Sequence, residues 1–337
     1  MKLRPTVVQR SQVAIDDAKA RVRRGENSAH LLRNYVDRDR AYIQPFFGTT
    51  PIDKVDGPKV RAFTNWLTND KGLSTSSAAA ILSFLSVILR MAYEDGVISR
   101  IPHLPRRRQK PAPRPAFTRT GYLRLLQILK EVEKGVPVIA FHGNKVDWEL
   151  RAIVTFMVNS FFRPGDIFKV QNKHVTVVPK DAEGPAYLRI DLPSSKGHHA
   201  PIITMPVAVP IYERTLANHR AAGFGKPNDY VFLPSRQNRA YAHEIVRRQF
   251  RQVLIRADLL KSSKGVDHTL YSLRHSALTF RLLNAQELDL VTLARAARTS
   301  VDMIDRYYAS TLTAEMNRDK LHSFRRPTRF LTDGKGG

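Results

Sequence analysis

Four residues in the C-terminal two thirds of the chain have side chains that suit chemistry at a phosphate. Two are arginines: Arg163 lies in Phe-Arg-Pro-Gly-Asp, and Arg274 follows about a hundred residues later in Tyr-Ser-Leu-Arg-His. A guanidinium stays charged and can hold a phosphate through two hydrogen bonds. The others are Lys196, in a predicted turn between two strands, and Tyr308, near the C-terminus. A tyrosine can attack phosphorus when its proton is removed or positive charge lies nearby, so the set indicates DNA breakage through a phosphotyrosine bond.

In this order, Arg163, Lys196, Arg274 and Tyr308 resemble the motif residues of the tyrosine recombinases, the phage-integrase family of site-specific DNA recombinases. The resemblance covers about residues 28 to 325. It implies that the two arginines face a DNA cavity, hold the scissile phosphate and stabilise the pentacoordinate transition state. It also implies that Lys196 protonates the departing 5′-oxygen and that Tyr308 forms a 3′-phosphotyrosyl bond. Because that bond conserves energy, neither ATP, a metal nor another cofactor is required.

Three positions depart from the family pattern. Asp166 stands where the family has Glu, and its expected role is to hold the turn or orient the preceding arginine. Tyr271 replaces the usual His three residues before the second arginine, and Thr299 replaces a later His or Trp. A tyrosine hydroxyl can bond a phosphate, but it is not a near-neutral base. His275 is expected to be a packed, hydrogen-bonded residue that supports the site.

The nucleophile and the proton donor each have alternative candidate residues. Tyr307 is adjacent to the proposed nucleophile, although the Tyr-Ala-Ser sequence after it resembles the family's Tyr-Ala-His and favours Tyr308. His198 and His199 follow Lys196 and could also carry a proton.

The charge of the chain predicts a polyanionic partner. Lys and Arg number 55 and Asp and Glu 30, which gives a net charge of +25. Release of counterions from a nucleic acid favours binding by such a surface.

Without cysteine, the chain has no disulfide, Cys-ligated zinc or thiol nucleophile. Asp37 and Asp39 fall on a predicted polar helix face and do not suggest a nuclease metal site. Without a predicted signal or membrane span, the expected location is the bacterial cytoplasm, at the nucleoid when DNA is bound.

The pattern of apolar residues predicts two domains. A basic segment, 1–27, with a possible short helix, precedes a helical DNA-binding domain over 28–101, for which Ser28 is a plausible N-cap. A linker follows at 102–115, and a catalytic domain over 116–325 precedes a tail at 326–337. Prolines favour extended chain in the linker, and its basic residues are expected to follow a DNA backbone. These residues are Arg106, Arg107, Arg108, Lys110 and Arg114.

The predicted fold is mainly α, with a small antiparallel sheet in the catalytic domain. Thr118 and Asp147 are expected to cap helices, and strands are predicted at 174–178, 186–192 and 201–205, the last two flanking Lys196. Later helices are predicted at 207–219, 241–257, 270–283, 290–297, 301–308 and 313–324.

The sequence thus predicts a site-specific recombinase or integrase of a mobile element. The resemblance implies double-stranded DNA as partner, a homo-tetramer on DNA, and accessory DNA-bending or directionality factors. Two alternatives remain: a recombinase-like DNA-binding factor that no longer cleaves, and a type IB topoisomerase-like enzyme.

Overall fold

The computed structural model of the protein describes residues 4–105, 115–136, 146–182, 184–192, 200–284 and 289–308, with the backbone alone at 284 and 306–308. Contacts divide the chain into two compact units, residues 1–112 and 113–337. The division falls inside the basic segment 102–115. Helices dominate the described residues and accompany one small antiparallel sheet, which confirms the predicted fold class.

The N-terminal unit is built from helices around an aromatic and aliphatic core. Phe63, Phe84 and Leu85 lie at its centre and are completely buried. Ser28 accepts a hydrogen bond from the amide of Leu31, so the predicted N-cap is confirmed. The helices are α1 (Val7–Arg23), α2 (Ala29–Arg38), α3 (Gln44–Phe47), α4 (Gly57–Asn65) and α5 (Thr75–Glu94).

The helical unit begins earlier than the sequence predicts. Residues 1–27 are expected to precede the domain, but α1 buries Val7, Ala14 and Ile15 in the same core as α5. Three of the five residues that α1 buries, Ser11, Ala14 and Ala18, are polar or small, so its hydrophobic periodicity is weak.

By length and composition alone, α5 is apolar enough to cross a membrane, with a mean hydropathy of 1.6. This differs from the expectation that no segment approaches a membrane span. Ile81, Leu85, Ile88 and Leu89 are at most 3% exposed and line the core of the unit, so the hydropathy is that of a buried core helix.

A π-helical turn, Asp39–Ile43, interrupts the single helix that the sequence predicts after Ser28. Pro45 has no amide hydrogen to donate to the preceding helical turn, which fits the irregular hydrogen bonding at this point. Gly48 ends α3 at a φ of 48°. Asp39 is only 4% exposed, so its side chain is buried rather than on the predicted polar face.

The buried carboxylate of Asp39 joins α1 to the π turn. Its two oxygens accept hydrogen bonds from the Ser11 hydroxyl at 2.5 Å and the Gln44 amide at 2.7 Å. We expect Asp39→Ala to lower the free energy of unfolding of this unit by about 2 kcal/mol, because two hydrogen bonds to a charged carboxylate are lost, one buried and one partly buried.

Trp66 and Trp148 are the two tryptophans. In a Trp148→Phe background, Trp66 fluorescence during urea unfolding therefore reports the N-terminal unit. Asp37→Ala is the matched control, because Asp37 lies two residues before Asp39 and its side chain is 60% exposed. Equal stability of the two alanine variants would show that the buried carboxylate contributes nothing.

The C-terminal unit packs its helices around α7. Thr118 and Asp147 accept hydrogen bonds from the amides of Gly121 and Glu149, which confirms both predicted caps. The helices are α6 (Arg119–Glu133), α7 (Trp148–Val158), α8 (Pro164–Ile167), α9 (Ala208–Ala221), α10 (Arg239–Arg256), α11 (Leu270–Asn284), α12 (Leu290–Ala296) and α13 (Val301–Tyr308).

The small sheet contains β1 (Val175–Val178), β2 (Tyr187–Ile190) and β3 (Ile202–Ile203) in that order, all antiparallel. Ile190 pairs with Val175 on one side and with Ile202 on the other, and its buried side chain joins the core beneath the sheet. The chain between β2 and β3 is where the sequence places Lys196.

A separate apolar cluster ties together the segments that carry the predicted site. Phe161 before α8 and Ala277 and Leu278 of α11 pack with α12 and α13. The contributions of the last two helices are Leu293, Ala294, Ala297 and Ile304.

Candidate active site

Arg163 lies where the chain turns sharply out of the core. Phe162 before it and Pro164 after it are buried, and the Arg163 backbone is extended and precedes the short helix α8. The Arg163 carbonyl accepts a hydrogen bond from the Asp166 amide at 2.9 Å, which closes the turn. The side chain is 20% exposed, so it remains accessible at the surface of the unit.

Two groups position the Arg163 guanidinium. Its Nη2 donates to the carbonyl of Arg298 at 2.5 Å, and its Nη1 lies 3.7 Å from Oδ2 of Asp166. This geometry suits the role expected of Asp166, which is to orient the arginine.

Arg274 is buried, with only 4% of its surface exposed, and its expected contact with DNA stays a prediction. Its Nη1 donates to the carbonyl of Phe161, and its Nη2 donates to the carbonyl of Ala297 at 2.6 Å. Charged donors make strong hydrogen bonds, so these contacts fix the plane of the guanidinium. Phe161, which supplies one of these carbonyls, has a φ of 56° and so lies in the left-handed region.

The two guanidiniums therefore meet at consecutive carbonyls, those of Ala297 and Arg298. We call residues 297–299 the α12 turn, since they close the C-terminal end of α12. The amide of Thr299 donates to the carbonyl of Ala294 at 2.9 Å, and Arg298 has a φ of 50°. Carbonyls at a helix C-terminus carry partial negative charge, which offsets the repulsion between two nearby arginines.

Tyr271 and His275 lie one turn apart on α11. Their ring centroids are 5.1 Å apart at an interplanar angle of 48°. His275 is 6% exposed, an environment that fits the packed supporting role expected of it. Tyr271 is half-buried at the start of the helix, on the turn before Arg274.

Thr299 is half-buried and directly follows the two carbonyls that hold the arginines. The next helix, α13, starts at Val301, and the hydroxyl of Ser300 accepts the amide of Met303 at its N-terminus. Ile304 anchors α13 in the same apolar cluster as Phe161. Tyr308 is the last residue of α13, so its backbone is described but its side chain is not.

Several predicted site residues lie outside the described residues. Lys196, His198 and His199 belong to the segment 193–199. The basic linker residues Arg106, Arg107, Arg108, Lys110 and Arg114 belong to 106–114. Their roles remain predictions.

Comparisons with known proteins agree with this architecture. Residues 11–107 match the phage integrase SAM-like domain. The integrase of transposon Tn1549 in complex with a circular intermediate DNA superposes with a TM-score of 0.66 at 17% identity, over 94% of this chain and 98% of that chain. A lambda integrase dimer bound to a COC′ core site gives a TM-score of 0.61 at 18% identity, over 88% and 94% of the two chains. The chain has the tyrosine recombinase fold.

A third structure that superposes on this chain is part of an assembled complex. A lambda integrase tetramer bound to a Holliday junction gives a TM-score of 0.58 at 19% identity, over 85% of this chain and 76% of that chain. No curated protein sequence matches the chain. At these identities, the similarity establishes the tyrosine recombinase fold and the N-terminal domain type.

Within this tyrosine recombinase fold, sequence reasoning missed three backbone or side-chain features of the site. The carbonyls of Phe161 and Ala297 hold Arg274, and Arg298 is buried beside Arg163. Carbonyl contacts leave no residue-type signal. The sequence does carry a signal for Arg298, because this residue occupies the position after a helix where glycine is usual. The surrounding turn resembles the Gly-His-Ser turn of the family.

Proposed function

We propose that this chain is a site-specific DNA recombinase of a mobile element. The observation that carries the proposal is the convergence of Arg163 and Arg274 on consecutive carbonyls of the α12 turn, two residues before the helix that ends at Tyr308. Fixed guanidiniums stabilise charge that develops on a phosphate better than mobile ones, because they need not reorganise during the reaction.

In the proposed reaction, the Tyr308 phenol gives its proton to water and its oxygen attacks the scissile phosphorus. A bond forms between that oxygen and phosphorus, and the bond from phosphorus to the 5′-oxygen breaks. Lys196 gives a proton to the departing 5′-oxygen, while Arg163 and Arg274 balance the charge on the pentacoordinate phosphate. The 5′-hydroxyl of another strand then gives its proton to the neutral Lys196 and attacks the phosphotyrosine. The bond from phosphorus to the Tyr308 oxygen breaks, that oxygen regains a proton from water, and a DNA strand is restored.

The net charge of +25 supports duplex DNA as the partner. The superposed structures are integrases on DNA, and one is a tetramer on a Holliday junction, so we propose that this chain also acts as a tetramer. The proposal further includes accessory DNA-bending factors, tracking of DNA by the 102–115 linker, and action in the bacterial cytoplasm.

The proposed function can be tested without knowing the natural site. Duplexes that bind the protein are selected from a random pool and then rebuilt with a nick near each candidate cleavage position, so that cleavage releases a short strand and traps the protein on DNA. The trapped complex is offered a second, labelled duplex that ends in a 5′-hydroxyl. The proposal expects a covalent complex and then joining to the second duplex.

Each other outcome identifies an alternative. Tight binding without covalent attachment would indicate a DNA-binding factor that does not cleave. Covalent attachment with relaxation of supercoiled plasmid, but without joining to the second duplex, would indicate an activity like that of a type IB topoisomerase.

The role of Lys196 makes a separate prediction. If Lys196 supplies the proton to the leaving oxygen, Lys196→Ala should slow cleavage of ordinary DNA by about 100-fold or more. Replacing the bridging 5′-oxygen by sulfur should largely restore the rate, because a thiolate leaves without a proton. Single-turnover formation of the covalent complex on the two substrates measures the difference.

The control for this prediction is Arg274→Ala, which sulfur should not rescue because charge stabilisation does not depend on the leaving-group proton. Similar losses on both substrates would instead make Lys196 a phosphate-binding residue and point to His198 or His199 as proton donor. No loss on either substrate would leave Lys196 as a solvated turn residue.

A further inference from the structure

Arg298 has a left-handed backbone conformation, which is unfavourable for arginine, and its charged side chain is buried. Its φ of 50° lies in the left-handed region, where the Cβ of any residue other than glycine is crowded. Its amide donates to the carbonyl of Arg295 at 3.0 Å, so it closes α12 at the position that glycine usually fills. The residue is also only 2% exposed, although arginine is rarely buried. A turn alone would be formed better by glycine.

Arg298 adjoins the Arg163–Asp166 pair: its carbonyl accepts a hydrogen bond from Nη2 of Arg163 at 2.5 Å, and Nη1 of Arg163 lies 3.7 Å from Oδ2 of Asp166. Burial lowers the pKa of Arg298, the Asp166 carboxylate raises it, and the positive charge of Arg163 lowers it. Arginine stays protonated in proteins despite such shifts. A third guanidinium charge is therefore present beside the first arginine of the site.

The charge balance of this group differs with and without Arg298. Arg163 and Asp166 alone sum to zero, so the carboxylate cancels much of the attraction that Arg163 exerts on a phosphate. With Arg298, the three groups sum to one positive charge. The neighbouring Thr299 is neutral, where the family resemblance places His or Trp. The charge of Arg298 therefore lies next to a position without a hydrogen-bonding ring.

We propose that Arg298 is a positioning residue for DNA cleavage: its buried charge shares Asp166 with Arg163, which keeps Arg163 in place and leaves its positive charge available to the scissile phosphate. Arg298 acts through Arg163, whose Nη2 donates to the Arg298 carbonyl at 2.5 Å, and through Asp166, which lies beside Arg163. This inference rests on the proposed recombinase function.

Arg298→Gly separates the charge from the turn. Glycine adopts a positive φ without crowding, so it preserves the α12 turn while the guanidinium is removed. We expect Arg298→Gly to form the covalent complex about tenfold more slowly than the unaltered protein. Removing a donor that contacts the transition state directly slows a reaction by about 100-fold or more. The effect of Arg298 should be smaller because it acts through Arg163. Arg298→Met should show a similar loss, and Arg298→Lys should stay within about threefold because it keeps the charge.

Two further variants locate the effect. Arg295→Met removes an exposed arginine from the same helix and should leave the rate unchanged. In an Asp166→Asn background, Arg298→Gly should cost less than in the unaltered protein, because the carboxylate that Arg298 offsets is gone. Thermal unfolding of each variant accompanies the rate measurements, and Arg298→Gly should unfold at no lower temperature than Arg298→Ala.

The results distinguish the inference from the function on which it rests. If the unaltered protein cleaves and Arg298→Gly cleaves equally fast, the residue serves only the turn and the inference is wrong. If Arg298→Lys is as slow as Arg298→Gly, charge is not what matters, and the inference is again wrong. If the unaltered protein forms no covalent complex on any selected duplex, the proposed function fails and the inference falls with it.

Discussion

Tyr308→Phe should abolish covalent attachment to DNA while leaving the affinity for duplex DNA nearly unchanged. The phenolic oxygen is the atom that would bond to phosphorus, and phenylalanine keeps the ring without it. Because the residue ends α13, whose core contact is made by Ile304, the fold should not depend on the hydroxyl. Trapping on nicked duplexes, resolved in denaturing gels, measures attachment, and a binding titration measures affinity.

Tyr307→Phe is the matched control, since it removes the same atom one residue earlier in the same helix. It should retain attachment. Attachment that persists in Tyr308→Phe and disappears in Tyr307→Phe would exchange the roles of the two tyrosines.

Arg163→Ala and Arg274→Ala should each slow cleavage by about 100- to 1000-fold, because each removes a fixed positive charge from the transition state. The structure predicts different effects on stability. Arg163 is partly exposed, so Arg163→Ala should unfold at nearly the same temperature as the unaltered protein. Arg274 is buried and bonds two carbonyls, so Arg274→Ala should unfold at a lower temperature.

Arg274→Gln separates the two effects, since an amide can still donate to a carbonyl but carries no charge. It should recover part of the stability and none of the cleavage rate. Single-turnover rates and thermal unfolding of the same preparations give both quantities. Cleavage near the normal rate in Arg163→Ala, or in Arg274→Gln, would mean that the arginine concerned only holds the fold together.

Local sequence signals predicted the elements of the fold well. The caps Ser28, Thr118 and Asp147 each place a side-chain oxygen beside free amides at a helix start, and this interaction depends on a few adjacent residues. The strands around Lys196 were found in the same way, from short β-branched runs beside a turn-forming cluster.

Features that depend on distant parts of the chain were not predicted. Asp39 is buried against Ser11 of α1, and nothing in the residues around Asp39 indicates that partner. The two carbonyls that hold Arg274, those of Phe161 and Ala297, were not predicted either. A backbone carbonyl looks the same in every sequence, so only the folded chain reveals which ones converge.

The most direct test of the account is the identity of the residue that becomes bonded to DNA. The unaltered protein is trapped on a nicked duplex, the DNA is digested to a short remnant, and the modified peptide is sequenced by mass spectrometry. The account predicts a nucleotide attached through a 3′-phosphate to Tyr308. A remnant on any other residue, or no remnant on a duplex that the protein binds tightly, would contradict it.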